Sequence, residues 1–173
     1  MSTSSASTSS RSASSTSSTH ARTPSPPRGY FHGFAGYNPT PRIGFEEQFS
    51  RLAINQGWSK KEKKRRRPEA IEEEFNDLQT TDTNKLARWQ ALCVQVGIEE
   101  VPNSITKCKK ALGSPKVMVN LTNLIDHMKL GTPLIKFKNF AEFRNYTLKP
   151  QNMFPRDRAK KEGFIKALLR HVV

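Results

Sequence analysis

The chain has 173 residues, 35% of them hydrophobic, and a formal net charge of +14. No apolar run approaches the ~20 residues that span a bilayer, and no apolar signal-peptide core is present, so neither a membrane-spanning nor a secreted protein is expected. The charge is uneven. Residues 1–28 carry +3, 29–59 carry none, 60–67 carry +6, 68–100 carry −6 and 101–173 carry +11. An acidic stretch lies between two basic ones, so part of the positive charge can be neutralised inside the fold rather than offered to a partner.

Residues 1–29 read as a Ser/Thr/Pro-rich tail. Its first twenty positions lack Leu, Ile, Val and Phe, cannot repay the entropy of ordering, and are expected to be disordered. Without large apolar residues the segment also lacks the amphipathic face of a mitochondrial presequence. Thr23-Pro24 and Ser25-Pro26 make Thr23 and Ser25 candidate phosphorylation sites, where added phosphate would reverse the local charge. Pairs of this kind also arise from composition alone. Residues 30–173 have the length of one domain.

From residue 30 to 44 the chain should form an irregular arm. Tyr30, Phe31, Phe34 and Tyr37 are interspersed with glycines and prolines. Such rings either stack on unpaired bases or anchor the arm into a groove of the same domain. Helical spacing begins at Phe45, with Phe49 and Leu52 following, and Gly57 suits the left-handed position after a helix. Ser59 and Glu62 then form a capping box that opens a helix at the basic run. Pro68 leaves two readings: one helix over about 60–79 with a kink, or a restart at Pro68 with glutamates near a positive dipole end. In both, Ile71, Phe75 and Leu78 face inward and the basic residues face mostly solvent.

Asp82 is the expected cap of a third helix carrying Leu86, Trp89, Leu92, Cys93 and Val96, closed by Gly97. A short helix follows Pro102, with Ile105, Cys108 and Leu112 inward and Gly113 as its stop. Helix, turn and helix is the outline of a DNA-reading motif in which Lys107, Lys109 and Lys110 would face the groove. The 97–103 connection, however, is longer than that motif's usual turn. The other reading is an ordinary helical corner with solvated lysines. Downstream, Leu121, Leu124, Ile125 and Met128 share a stripe that ends at Gly131. The stretch 133–138 leans toward an edge strand or an extended link. Asn139 caps a helix with Phe140 and Phe143 inward, stopped by Pro150. Phe154-Pro155 opens a final helix over 156–173, whose Ala159, Phe164, Ile165, Leu168 and Leu169 pack while Arg156, Arg158, Lys160, Lys161 and Lys166 remain in water. The fold class is therefore mostly α, with at most a minor strand pair.

Catalytic and metal chemistry find little footing. Cys93 and Cys108 lie fifteen residues apart without the paired spacing of a zinc site, and no histidine clusters with them. They read as core cysteines in a reducing compartment. Phosphate loops, nucleophile elbows and zinc-protease motifs are missing, so neither an enzyme nor a bound cofactor or metal is expected.

The succession of Phe49, Leu52 and Gly57-Trp58, then Trp89, Leu92-Cys93, Gly97-Ile98, Pro102, Cys108 and Leu112, then Val119-Asn120-Leu121 and Leu124-Ile125-Asp126, then Phe137, Tyr146-Thr147, Phe154-Pro155 and Leu168-Leu169 resembles a recurring helical domain of filamentous fungal proteins with no assigned activity. The resemblance spans about residues 30–173. It implies an intracellular fungal protein with a compact helical domain, and it carries no catalytic or binding residue to transfer.

The dense block Lys60, Lys61, Lys63, Lys64, Arg65, Arg66 and Arg67 is the strongest functional signal. Clustered cations displace counterions from a polyanion, and a run of this composition also satisfies a nuclear import signal. The expectation is a non-enzymatic nuclear binding protein that contacts DNA or RNA without reading sequence. The alternative is a protein-interaction module, nuclear or cytoplasmic, that uses the aromatic arm and apolar helix faces, with the basic run only a solvated helix start. Its partner would be an import receptor or another protein, with no membrane involved.

Overall fold

The computed structural model describes residue 1 and residues 29–79, 84–159 and 163–169. The Ser/Thr-rich tail, with Thr23 and Ser25, lies outside the described residues. Among those described, the secondary structure is eight α-helices and one 3-10 turn at Tyr30–Gly33, with no strand. The helices are α1 (Phe45–Asn55), α2 (Lys60–Leu78), α3 (Lys85–Gln95), α4 (Ile105–Leu112), α5 (Leu121–Leu130), α6 (Phe140–Thr147), α7 (Arg156–Ala159) and α8 (Gly163–Leu168). The mostly α class holds, and the β-leaning stretch after Gly131 forms no strand.

Local sequence sets most of the ends. Ser59 accepts a hydrogen bond from the Glu62 amide at the start of α2, and Asn139 accepts one from the Glu142 amide at the start of α6. Gly57 and Gly97 take positive φ angles of 62° and 82°. Each lets the next amide turn back onto the helix it closes, Trp58 to the Ala53 carbonyl and Ile98 to the Cys93 carbonyl, both at 2.9 Å. That bond is the signature of a Schellman closure. The cap of α3 corrects the sequence reading: Asn84 stands at that position and accepts from the Leu86 and Ala87 amides, while Asp82 lies outside the described residues. Asx side chains two residues apart are interchangeable as caps on sequence grounds. α2 runs without interruption through Pro68, which resolves the two readings in favour of one helix of about 28 Å.

The aromatic arm belongs to the core. Phe31 is buried between the Tyr30 and Phe45 rings, and the series continues through Phe49 and Trp58 to Phe34, with centroid separations of 5.1–6.1 Å. The anchor reading of these rings is thus the observed one, with edge-on, tilted and one stacked pair, because aromatic side chains bury large apolar areas. α2 packs on α1, α5 and the 3-10 turn, while α3 packs on α4 and α4 on α8. Trp89 of α3 meets Phe164 of α8 at 4.2 Å. Leu52, Ile71, Phe75, Leu92, Leu112, Leu124 and Ile125 belong to one continuous buried cluster joining both groups.

Polar ties cross the sequence at long range. Lys129 pairs with the buried Glu74 at 3.0 Å, joining α5 to α2. Asn120, itself buried, caps α5 through its Oδ1 and donates from its amide to the Asn152 carbonyl at 3.1 Å. Within the last predicted helix, α7 and α8 are the described helical parts, and residues 160–162, with Lys160 and Lys161, and 170–173 lie outside the described set. One of its cations corrects the reading. Arg158 is not simply solvated: it reaches Glu69 at 3.2 Å and Glu72 at 2.9 Å on α2, since a forked guanidinium can satisfy two carboxylates at once.

α1 has no cap of its own, for Gly44 stands at that position. The carboxylate of Asp126 on α5 instead accepts from the Phe45 amide at 2.7 Å. Burial raises the Asp126 pKa, opposed by that amide and by Lys129. Replacing Asp126 with Ala should cost about 1 kcal/mol by loss of the cap, while Asp126→Asn, which keeps an acceptor, should cost less; chemical denaturation measures both. A carboxyl whose folded pKa is raised binds more proton in the folded than in the unfolded chain. Asp126 therefore makes stability fall as pH rises from its ordinary pKa through the raised one. Asp126→Asn should remove that slope from a pH series of melting temperatures.

Candidate functional site

α2 is two helices in one. From Lys60 to Arg66 no residue is buried; from Arg67 onward Pro68, Ala70, Ile71, Glu74 and Phe75 are. The hydrophobic spacing begins only after the basic run, so the first seven positions have nothing to bury and lie along the surface. Lys60, Lys61, Lys63, Lys64 and Arg65 are exposed. Arg65 lies 3.5 Å from Glu62, one turn back on the same helix, an exposed pair of small energetic weight.

The last two cations of the run behave differently. Arg66 is half-buried, with its guanidinium 4.8 Å from the centre of the Trp58 ring. The Tyr30 phenol beside it raises its pKa most, burial opposes this, and Glu62 adds a smaller raise. Tyr30 itself is pushed up by burial and drawn back by Arg66. Arg67 is buried, which corrects its place in the candidate surface. It donates to the Met153 carbonyl at 3.1 Å and also meets the Gln151 carbonyl and the Glu46 carboxylate. Its side chain ties α2 to α1 and to the chain between α6 and α7. Five of the seven predicted cations thus share an open surface, and two are structural.

Three of the four glutamates that follow the run pair away from it: Glu69 and Glu72 face Arg158, and Glu74 faces Lys129. These three carboxylates are matched to cations from other elements rather than to the basic half of α2.

The second predicted patch lies on α4. Lys107, Lys109 and Lys110 are all exposed. Lys109 lies 5.1 Å from the centre of the Trp89 ring, and Lys107 donates to the Asn103 side chain at 3.3 Å. α3 and α4 pack closely but are joined by the nine residues 96–104, well beyond a tight helix-turn-helix connection. Cys93 and Cys108 are both buried. Burial, reinforced by Cys108, pushes the Cys93 thiol up to about 12, which leaves it protonated and unreactive at neutral pH. No group of three or more metal-ligating side chains occurs among the described residues. None of the described helices is long and apolar enough to cross a membrane.

Sequence reasoning found the block but not its division. The signal for Arg66 was the neighbouring Trp58, eight positions away on the far side of a cap. Arg67 carried no local signal, because its carbonyl partners lie 84 and 86 residues downstream. No known protein family, curated protein or solved structure matches this chain.

Arg67→Ala should destabilise the fold by about 2–3 kcal/mol, the scale of lost hydrogen bonds to a charged donor. Lys61→Ala or Lys64→Ala should stay within about 0.5 kcal/mol of the parent. Urea midpoints of the three variants distinguish a structural from a surface cation, and equal midpoints would remove the division drawn here.

Proposed function

We propose that this is a non-enzymatic nuclear binding protein whose surface at Lys60, Lys61, Lys63, Lys64 and Arg65 contacts nucleic acid without reading sequence. The observation that carries the reading is the engagement of Glu69, Glu72 and Glu74 with Arg158 and Lys129, which leaves those five cations open to a polyanion. Their position adds to it. Lys60, Lys61 and Lys63, in the first turn of α2, oppose the macrodipole at about 0.3–1 kcal/mol each. Phosphates brought alongside would relieve that repulsion while releasing counterions. Four of the five are lysines, compact point charges suited to phosphate rather than to forked contacts with base edges. The exposed lysines of α4 supply a second basic surface of the same kind.

The protein-interaction alternative loses one of its two supports, because the arm is consumed by the core. Binding of the full chain to duplex DNA, single strands and RNA should weaken on the order of 10²–10³-fold between 50 and 200 mM salt, as five phosphate contacts require. Replacing the five cations with Gln should flatten that dependence. Absence of binding to all three at the lower salt overturns the proposal and favours a protein partner.

The same five residues carry the import reading. Substituting them with Ala, with Arg66 and Arg67 left in place, should leave the melting temperature within a few degrees of the parent and move a fluorescent fusion from nucleus to cytoplasm. An unchanged distribution removes the nuclear part of the reading.

A further inference from the structure

The chain around α6 holds an aromatic group outside the main core. Phe143 is fully buried there, and two rings pack against it. Phe137 and Phe140 stand 5.2 and 6.0 Å from Phe143, and Tyr146 stands 5.2 Å from Phe137. Phe143 does the work of holding α6 down. Phe137 and Tyr146 are only half-buried, and with Glu142, Asn145 and Lys149 they line an open recess of about 450 Å³. That volume falls in the range of small-ligand sites, ~300–1,000 Å³.

The surroundings narrow the ligand. Lys149 and Glu142 are the charged residues that line the recess, while Lys136, Lys138 and Arg144 are exposed elsewhere in the same stretch. The Glu142 carboxylate already accepts from the Lys138 amide at 2.9 Å. Lys149 lies 5.9 Å from the centre of the Tyr146 ring. The recess therefore combines two aromatic rings with one cation, Lys149, and one carboxylate, Glu142, and the exposed Asn145 amide can give and take a hydrogen bond at a base edge.

We propose that Phe137 and Tyr146 form a stacking platform for an unpaired base, with Lys149 on the adjoining phosphate. The inference rests on the nucleic-acid reading above and names the class of nucleic acid, a single strand. The two rings touch each other at 52°, so no base slides between them; it stacks on the outer face of one. Paired bases present no free face there, whereas every unpaired base does, which makes the contact tolerant of sequence.

Two measurements test it on the full chain. The double variant Phe137→Leu and Tyr146→Leu keeps apolar volume over Phe143 and removes both π faces. It should weaken binding to oligo(dT) by at least about fivefold, the lower end of one base stack, and leave duplex affinity unchanged. In the unmodified protein, photo-crosslinking to a bromodeoxyuridine strand should place the adduct on Phe137 or Tyr146, an outcome independent of how the variant folds. Equal losses on strand and duplex, no loss on the strand, or adducts confined to α2 and α4 overturn the platform while leaving the basic-surface reading intact. Absence of binding to any nucleic acid overturns both.

Discussion

The guanidinium of Arg67 is the point at which a surface helix becomes a core helix, and the placement of the remaining charge follows from it. It grips the Gln151 and Met153 carbonyls and the Glu46 carboxylate, so one side chain fixes the roll of α2 against two other parts of the chain. Once that roll is fixed, Ile71 and Phe75 turn inward with it. Glu69 and Glu72 turn toward α7, and Glu74 toward Lys129 on α5. A forked donor is suited to this role because it can serve carbonyls and a carboxylate together; a lysine would offer a single point of charge.

The acidic and basic halves of α2 are thereby assigned to different tasks. Carboxylates taken up by distant cations organise the interior joints of the fold. The cations ahead of them stand on a helix end whose own dipole repels them, an arrangement that local stability does not favour. Pro68, inside the same helix, leaves the carbonyl four residues before it without its usual amide partner. The helix therefore depends on tertiary packing of its second half rather than on intrinsic propensity, as most helices of folded proteins do.

What could be read from the sequence is what is local. Helical spacing located the apolar faces around Leu52, Phe75, Trp89, Leu124 and Ile165, and glycines marked the ends of α1 and α3, because those signals lie within one or two turns of the residues they describe. The basic block was equally plain. The misreadings share a different cause. Arg158 finds its carboxylates, and Arg67 its two carbonyls, 84 to 89 residues away, and Glu46 lies 21 residues before Arg67, so nothing nearby distinguishes them from solvated cations. Asp and Asn cap helices about equally well, so nothing local separates position 82 from position 84. The aromatic recess beside α6 was visible only as interleaved rings and cations, a pattern that a small core and a ligand site share.

The amide of Phe45 is satisfied by a carboxylate 81 residues further along the chain. During synthesis the opening turn of α1 emerges long before the group that completes it. α1 cannot reach its final form by local collapse alone; its first turn closes only when α5 docks. Early folding intermediates should accordingly show this helix frayed at its beginning, with closure of that end coinciding with assembly of the whole.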